Sequence, residues 1–322
     1  MKKLDPAYIY HIASLYYNDM LSQNEIAVRE NLSRPQVSRI LARAKEEGIV
    51  KIEVTMPVSS SRDELVRLLK ERFGLKEVFV VPSAGKKSLQ TAETTQRIID
   101  FSMQAAPIIA RLIDNMQYVG LGWGRTVYHI GANLPEIMPA QEHLFIPLAG
   151  SHSGIVNHEY QVAAISLAFG SRLHSRSFFL NITKPKSENA ELNSYEQFYY
   201  EELERYWSML EAVVCSVGSA DYLHEEDKFK FSTADFPVGK TVVGDILYQL
   251  YFSDGSSDLS RSQMDMIAID IQRLKAVPNS ILAANGREKI KAIAYALKIG
   301  FFNILVTDEA TAQDLIDFSF PE

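Results

Sequence analysis

The sequence predicts an α/β protein of two domains: a small helical domain first, then a larger domain with a mostly parallel sheet and helices on both of its faces. Three observations support this prediction. Residues 21–51 contain two helix-start signals only eleven residues apart, which is too close for two antiparallel helices. Beyond residue 57, short apolar segments alternate with longer helical segments, as they do in a parallel sheet. Finally, 322 residues are enough for two domains, one of them with a sizeable core.

The first predicted helix begins after Asp5, whose side chain can cap it, with Pro6 at the first helical position. Its apolar residues recur at helical spacing, so we expect one buried stripe. That stripe consists of Ile9, Ile12, Ala13 and Tyr16.

Two capping signals define the second and third helices. Ser22 is followed three residues later by Glu25, and Ser33 by Gln36, so that each helix start can satisfy its own backbone N–H groups. Because only about three residues separate the two helices, we predict a helix-turn-helix. Residues 49–54 then alternate like a short strand and are interpreted as a wing.

The third helix has side chains suited to reading DNA. Its apolar residues repeat at helical spacing and should face the core: Val37, Ile40, Leu41 and Ala44. Its remaining polar residues are predicted to contact DNA: Ser33, Arg34, Gln36, Ser38, Arg39 and Arg43. Arginine can bind guanine or phosphate through paired hydrogen bonds, and glutamine can pair with adenine. The alternative is an ordinary amphipathic helix with a solvated basic face, but the caps and the short turn favour DNA binding.

Charge is divided unevenly between the two predicted domains, residues 1–56 and 57–322. The first carries eight Lys or Arg against seven Asp or Glu, and the second carries twenty-five against thirty-three. Since nothing in the second concentrates positive charge, we expect DNA contact in the first domain only. A homo-oligomer, dimer or tetramer, would place two reading helices on one double-stranded operator and multiply a modest local attraction.

Composition also limits the compartment and the chemistry. Cys215 is the one cysteine of the sequence, which excludes an intramolecular disulfide and a Cys-rich metal site. His152 and His158 lie six apart with no third ligand nearby in sequence, so we predict no metal. The sequence shows neither a signal core nor a membrane-length apolar run, and we expect a cytoplasmic protein with no membrane partner and no cofactor.

Pro57 and the run of three serines that follows it mark the boundary at which the second domain, residues 57–322, begins. Predicted helices lie at residues 63–73, 91–114, 162–173, 195–210, 287–299 and 310–317. Predicted strands lie at residues 78–81, 118–121, 144–149, 178–182, 212–217, 280–283 and 303–306. Pro107 is expected to kink or split the long second helix of this domain. Residues 221–265 are the least regular and are assigned only loosely.

A glycine-rich loop between a strand and a helix is the first candidate ligand site. Residues 118–126 read YVGLGWGRT: glycines let backbone N–H groups approach an anion, and a helix N-terminus adds partial positive charge. Arg125 supplies a cation and Thr126 a hydroxyl. The spacing matches neither a Rossmann fingerprint nor a nucleotide-triphosphate loop, and a purely structural tight turn is an open alternative.

Two further ionisable residues are candidates. Lys289 follows a predicted strand and lies in the first turn of a helix, where a cation opposes the helix dipole and so suggests an anionic partner. The alternative is an ordinary surface lysine. Asp245 lies in VGDI at a predicted turn-to-helix transition, where the alternative role is a simple N-cap. The small-residue loop at 147–154 would form a ligand rim, and residues 307–311 read as a helix cap.

These motifs together resemble the SorC (sorbose-operon regulator) family of bacterial transcriptional regulators. The resemblance rests on the helix-turn-helix followed, in order, by GLGWGRT, PLAG, VGDI, NGREKIKAIAYAL and NILVTDEATAQDLI. It implies an effector domain related in fold to sugar-phosphate isomerases and glucosamine-phosphate deaminases. It also implies control by a sugar or sugar phosphate and assembly into dimers and tetramers.

The resemblance also implies the residues that bind the effector. They are Gly122, Trp123, Gly124, Arg125, Thr126, Asp245 and Lys289. The chain departs from the family pattern at Asn285, where a glycine is usual, and in the more polar loop that follows PLAG. These departures leave open which sugar is bound and whether it is phosphorylated.

Two functions from different classes fit these residues. The first is a sugar-responsive regulator whose effector shifts the population between two arrangements of the oligomer and so alters operator binding. The second is a sugar-phosphate isomerase or deaminase with an accessory helix-turn-helix. The regulator is our prediction, because fold alone does not imply enzymatic function and the sequence places no acid–base pair together. The sequence does not determine the operator or the sign of regulation.

Overall fold

A computed structural model describes residues 5–18, 21–50, 60–83, 91–150, 160–179, 193–219, 239–258 and 267–321. The chain forms two compact units, Met1–Ser59 and Ser60–Glu322. Each unit has its own hydrophobic core and is described by itself.

Three helices form the first unit: α1 (Pro6–Tyr17), α2 (Gln23–Arg29) and α3 (Arg34–Glu46). Asp5 caps α1 as predicted, with its carboxylate accepting from the Ala7 N–H at 3.0 Å. The buried stripe of α1 ends at Leu15, whereas the predicted Tyr16 is only partly buried at the edge of the core. Its hydroxyl explains the difference, because the polar end of a tyrosine favours the rim of a core over its centre.

The second unit contains a seven-stranded sheet in which all strands are parallel. In chain order its strands are β1 (Glu77–Val81), β2 (Tyr118–Leu121), β3 (Leu144–Pro147), β4 (Arg176–Ser177), β5 (Ala212–Cys215), β10 (Asn279–Ala283) and β11 (Ile304–Asp308). Their spatial order is β1-β11-β10-β5-β2-β3-β4. The predicted parallel sheet is therefore confirmed.

A smaller antiparallel sheet follows the fifth strand. It contains β6 (Gly218–Ser219), β7 (Val242–Ile246), β8 (Gln249–Phe252) and β9 (Ser257–Asp258), in that spatial order. The sequence prediction missed this sheet, of which β7, β8 and β9 lie in the region that was assigned only loosely.

Helices cover the large sheet in two groups, each with its own apolar cluster. The helices are α4 (Ser60–Phe73), α5 (Thr91–Ile113), α6 (Arg125–Ala132), α7 (Val162–Arg172), α8 (Ser194–Ser208), α9 (Ile290–Ile299) and α10 (Glu309–Asp317). Short 3-10 helices occupy Ile271–Ala276 and Arg287–Lys289. Along β5, Val214 joins the cluster with α5, α6 and α7, while Val213 and Cys215 join the cluster with α4, α8, α9 and α10. This alternation is what a strand buried on both faces requires.

Pro107 lies inside α5, which continues through it and is therefore not split there; buried neighbours such as Ala106 and Ile109 hold the helix against the sheet. One predicted strand differs from the structure. The strand predicted at residues 178–182 is instead β4, two residues long and ending at Ser177; residues 180–182 lie outside the described part of the chain.

The strand order creates a topological switch point between β2 and β5. The chain leaves β2 towards β3 on one side, while β5 lies on the other side of β2. Ligands of open parallel sheets bind where connections diverge in this way, beyond the carboxyl ends of the strands. Gly122 lies at this point, and a Cβ there would lie 3.0 Å from Cys215 Sγ. A glycine therefore favours the close approach of the loop after β2 to β5.

Candidate functional site

The predicted reading helix α3 has the expected two faces. Its apolar residues are buried, as predicted: Val37, Ile40, Leu41 and Ala44. The predicted DNA contacts other than Arg43 are exposed: Ser33, Arg34, Gln36, Ser38 and Arg39. Arg43 is half-buried, and its Nε lies 2.6 Å from Glu47 Oε1, one helical turn further on. Arg34 and Arg39 are therefore the more accessible cations of this face.

The cap of α3 engages one of the predicted reading residues. Gln36 Oε1 accepts from the Ser33 N–H at 2.7 Å and from Ser33 Oγ at 2.8 Å. Because the amide oxygen of Gln36 is engaged in this cap, a base contact would use its amide nitrogen as a donor or would require the cap to open. The predicted wing lies mostly at residues 51–54, outside the described residues, while Ile49 and Val50 lie against the core of the first unit.

In the second unit, the predicted glycine loop connects β2 directly to α6. Gly124 is the N-cap of α6 with φ of 115°, a backbone conformation that an L side chain would strain. Arg125, the first helical residue, is partly buried. Thr126 is buried, and its backbone carbonyl accepts from Ser102 Oγ at 3.4 Å. The loop thus projects Arg125 from the carboxyl end of β2 and holds Thr126 beneath it.

Lys289 reaches the same end of the sheet from the loop after β10. It closes the 3-10 turn Arg287–Lys289 and stands at the N-cap of α9. Burial lowers the pKa of Lys289 to about 8, against the upward pull of Glu288 and Asp245, while Arg125 and Arg97 lower it further. Tyr251 Oη donates to the Ala292 carbonyl at 2.7 Å, which holds the hairpin of β7 and β8 against α9. Asp245 and Lys289 therefore lie in the same part of the unit, and Arg125 is close enough to act on the charge of Lys289.

Asp245 lies in a strand, which corrects the sequence prediction. The prediction placed it at a turn-to-helix transition with an N-cap as the alternative role, but it belongs to β7 and pairs with Gly218 of β6. A Cβ at Gly218 would collide with Asp245 Oδ1. A glycine in β6 therefore leaves room for this carboxylate.

The turn between β7 and β8 positions an aromatic pair beside these groups. Leu247 and Tyr248 both have positive φ, 54° and 61°, as in a type I′ hairpin turn. Tyr248 is stacked on the predicted Trp123, with ring centroids 3.8 Å apart and an interplanar angle of 21°. The hairpin and the glycine loop thus meet through these two rings.

Sequence reasoning missed the role of Asn285. This residue is 1% exposed, and its Nδ2 donates to Asp308 Oδ2 at 3.1 Å. Asp308 Oδ1 in turn accepts from the Thr311 N–H at 2.8 Å, which confirms the predicted cap at the start of α10. Gly286 N–H donates to Thr311 Oγ1 at 2.8 Å. Asn285 therefore ties the Lys289 loop to α10, and no spacing in the sequence signals this contact.

Arg97 and Glu288 were also missed. Arg97 Nη2 donates to Glu288 Oε1, and the two side chains are 29% and 18% exposed. Arg97 comes from α5 and lies 191 positions before its partner. A pair so distant in sequence leaves no local pattern from which it could be predicted.

In the described part of the chain, no three His, Cys, Asp or Glu side chains are grouped as a metal site requires. The predicted non-ligands His152 and His158 lie outside the described residues, as do residues 151–154 of the predicted ligand rim. None of the described helices combines the length and the apolar character of a membrane span.

A helix-turn-helix with an exposed basic face and an α/β unit with charged side chains grouped at the carboxyl ends of its strands define a ligand-responsive DNA-binding regulator. The Sugar-bind family of sugar-binding domains matches residues 60–317. The family described as winged helix-turn-helix DNA-binding matches residues 12–51. The two matches fall on the two units of the structure.

Whole-chain relatives agree with this class. The sorbitol operon regulator of Klebsiella pneumoniae is 27% identical over 96% of this chain and 97% of its own length. The deoxyribonucleoside regulator of Bacillus subtilis (strain 168) is 28% identical over 95% of this chain and 96% of its own. The transcriptional regulator LsrR of Escherichia coli (strain K12) is 25% identical over 96% of this chain and 94% of its own.

Solved structures agree as well. The full-length sorbitol operon regulator SorC from Klebsiella pneumoniae superposes with a TM-score of 0.71 and 25% identity, covering 98% of this chain and all of that one. The chain belongs to the Sugar-bind family and, with its helix-turn-helix, to the SorC family of transcriptional regulators. These relatives are named as regulators and not as enzymes, so the isomerase or deaminase alternative is set aside.

Proposed function

We propose that this regulator binds a sugar or sugar phosphate beyond the carboxyl ends of β2, β5 and β10, and that binding alters its affinity for the operator of a carbohydrate-uptake or catabolism operon. The observation that carries the proposal is the convergence of Arg125, Asp245 and Lys289 from three separate elements. A carboxylate accepts from sugar hydroxyls, and two cations suit a phosphate.

The rest of the predicted effector set belongs to the loop and helix start that carry Arg125. Gly124 allows a ligand to approach the backbone N–H groups at the start of α6. Gly122 donates its own N–H to the Val214 carbonyl at 2.9 Å and would contribute by setting the path of the loop. Trp123 offers a planar surface that is supported by its stacking on Tyr248, three residues after Asp245. Thr126 is buried beneath the loop, and we propose that it holds the loop's shape and accepts ligand contact through a hydroxyl.

The DNA-binding half of the proposal concerns α3. Arg34 and Arg39 would contact bases or phosphates directly, with Gln36, Ser38 and Ser33 beside them, while Arg43 would first release Glu47. We propose that the regulator acts in the cytoplasm as a homo-oligomer, dimer or tetramer, since two reading helices on one operator give the affinity that a single basic helix lacks.

Thermal denaturation with hexoses, polyols and their phosphates tests the effector half. A ligand at about one hundred times its dissociation constant adds about 2.7 kcal/mol to the free energy of unfolding, which is readily measured. The active compound is then added to operator-binding titrations at fixed salt. A compound that stabilises the protein and changes operator affinity supports the proposal; a complete panel without any shift contradicts the sugar-binding half.

A further inference from the structure

An ion pair lies where the Lys289 loop meets α5. Glu288 accepts from Arg97 Nη2, and Gly286 makes room for both side chains. A Cβ at Gly286 would lie 2.5 Å and 2.7 Å from the two carboxylate oxygens of Glu288 and 2.8 Å from Arg97 Nη2. Its φ of 110° also favours glycine. The turn is therefore shaped to bring this carboxylate onto this guanidinium.

The pair belongs to the same group of charges as the proposed effector site. Lys289 is influenced by Glu288, Arg125, Asp245 and Arg97, so three cations share the neighbourhood with two carboxylates. Each carboxylate has a backbone glycine beside it, Gly218 for Asp245 and Gly286 for Glu288. With the Glu288 carboxylate in place, the three positive charges exceed the negative charges by one; without it, they exceed them by two.

Arg97 retains capacity for a further acceptor. Its Nε is buried and has no hydrogen-bond partner among the described residues, although Nη2 is engaged by Glu288. A buried N–H without an acceptor carries a desolvation cost that a ligand oxygen would remove. A guanidinium can serve two oxygens of one phosphate, whereas the carboxylate of Glu288 engages it from one side.

We propose that Arg97 is a further effector-binding residue, and that Glu288 is a resident counter-ion which the phosphate group of a sugar phosphate displaces from it. The inference rests on the proposed effector site and specifies its ligand as carrying a phosphate. Glu288 then lowers the affinity for every anion, and only a ligand with enough negative charge to replace it gains full access to Arg97.

Inorganic phosphate, added to the full-length protein at constant ionic strength, is the probe. The measurement is the phosphate concentration that gives half-maximal thermal stabilisation. Glu288→Gln should bind phosphate about tenfold more tightly than the unmodified protein, because one like charge is removed, and Arg97→Gln about tenfold more weakly. Arg97→Lys keeps the positive charge but lacks the paired donors of a guanidinium. Its phosphate affinity should therefore lie between those of the unmodified protein and Arg97→Gln.

The adjacent ion pair supplies matched controls. Arg287 Nε lies 3.0 Å from Asp314 Oδ2 on the neighbouring helix, and the Arg287 side chain is 82% exposed. Arg287→Gln and Asp314→Asn remove the same charges from the same region and should leave the phosphate response unchanged. Circular dichroism and gel filtration establish that each variant is folded before it is compared.

The outcomes separate this inference from the proposed function. Phosphate binding that is unchanged or weaker in Glu288→Gln, or unchanged in Arg97→Gln, overturns the inference, as does the absence of any phosphate response in all variants. A sugar phosphate that binds the unmodified protein and both variants equally overturns the inference and leaves the proposed function standing. The expected variant responses to phosphate, together with no sugar binding, would leave Arg97 an anion-binding residue and overturn the sugar-binding proposal.

Discussion

At the residue scale, we predict that Lys289 makes the proposed anion binding sensitive to alkaline pH. Burial lowers its pKa to about 8, so a growing fraction of the side chain is neutral as the pH rises above that value. A phosphate group is already a dianion there, since its second pKa is about 6. The affinity for a sugar phosphate should therefore fall between about pH 7 and pH 9.

Calorimetric titrations across this range provide the measurement. Lys289→Gln should bind the same ligand more weakly throughout and with little change between the two pH values. An equally steep decline in this variant would assign the pH dependence to another group. A neutral sugar, which does not need the ammonium charge, serves as the matched ligand.

His143 gives the protein a second pH dependence, in this case of stability. This histidine is fully buried, and burial lowers its pKa below 6.5, outweighing the hydrogen bond to the Met116 carbonyl and the nearby Asp114. At higher pH the ring is neutral in both the folded and unfolded states. As the pH falls below about 6.5, the unfolded chain takes up a proton that the folded chain resists, so the free energy of unfolding decreases.

Urea denaturation at about pH 7.5 and pH 5.5 tests the His143 prediction. In the protein, His143 Nδ1 lies 2.6 Å from the Met116 carbonyl oxygen, and an asparagine can also donate to this carbonyl. His143→Asn should therefore lose less stability on acidification than the unmodified protein. The exposed His11 provides a control, and His11→Asn should keep the full decrease. Equal acid sensitivity in all three proteins would refute a role for His143.

At the element scale, the exposed side of α3 carries the DNA prediction. Arg39→Ala should weaken operator binding by about 1–3 kcal/mol, as expected for one lost paired contact with a base. Fluorescence anisotropy at fixed salt measures the loss, because salt alone changes the affinity strongly. Arg29→Ala on α2 removes an exposed arginine outside the predicted set and should have a small effect. Equal losses in both variants would indicate general charge attraction in place of reading by α3.

The start of α10 is predicted to be a stability determinant. Asp308 is 4% exposed, caps this helix through the Thr311 N–H and accepts from Asn285 Nδ2. Asp308→Ala removes the cap and leaves a buried amide without its acceptor, which should cost about 2–3 kcal/mol of unfolding free energy. Asp314→Ala on the same helix removes only a surface ion pair and should cost under about 1 kcal/mol. Comparable losses in denaturant titrations of the two variants would contradict this role.

Local sequence signals were sufficient where an element is specified by its own residues. The capping boxes at Ser22 and Ser33 lie within single turns of chain, and β2 was predicted at its observed bounds. The hairpin that carries Asp245 was missed for a physical reason. Its turn uses Leu247 and Tyr248 at positive φ, where glycine or asparagine is the usual signal, and packing against Trp123 stabilises it instead.

In the candidate site, too, the position of some residues follows from the local sequence, whereas their contacts depend on residues that are distant along the chain. Arg125 and Lys289 were predictable because each follows a strand and opens a helix, so each must lie at the carboxyl edge of a parallel sheet. Their association with Asp245, Arg97 and Glu288 depends on the strand order and on the antiparallel sheet. Neither the strand order nor the antiparallel sheet can be predicted from the spacing of residues along the chain.

At the scale of the whole molecule, regulation requires that the effector and the operator influence one another. If a sugar phosphate changes operator affinity by some factor, the operator must change the affinity for that ligand by the same factor. Such factors are typically about 5–150-fold. We expect equal ratios when operator affinity is measured with and without ligand, and ligand affinity with and without operator.

Arg125→Ala separates binding from its transmission in this scheme. Since Arg125 is in the second unit and the reading face is in the first, the variant should keep the ligand-free operator affinity and lose the response through weaker effector binding. At ligand concentrations that saturate the variant, the effect of the ligand on operator affinity should return if Arg125 contributes equally to ligand binding in both states of the regulator. A saturated variant with no response would mean that Arg125 discriminates between the two states, and so acts in switching as well as in binding.

The unmodified protein tests the linkage itself. If the ligand changes operator affinity by one factor and the operator changes ligand affinity by a different factor, the two ligands are not linked through one equilibrium, which would contradict the proposed regulator.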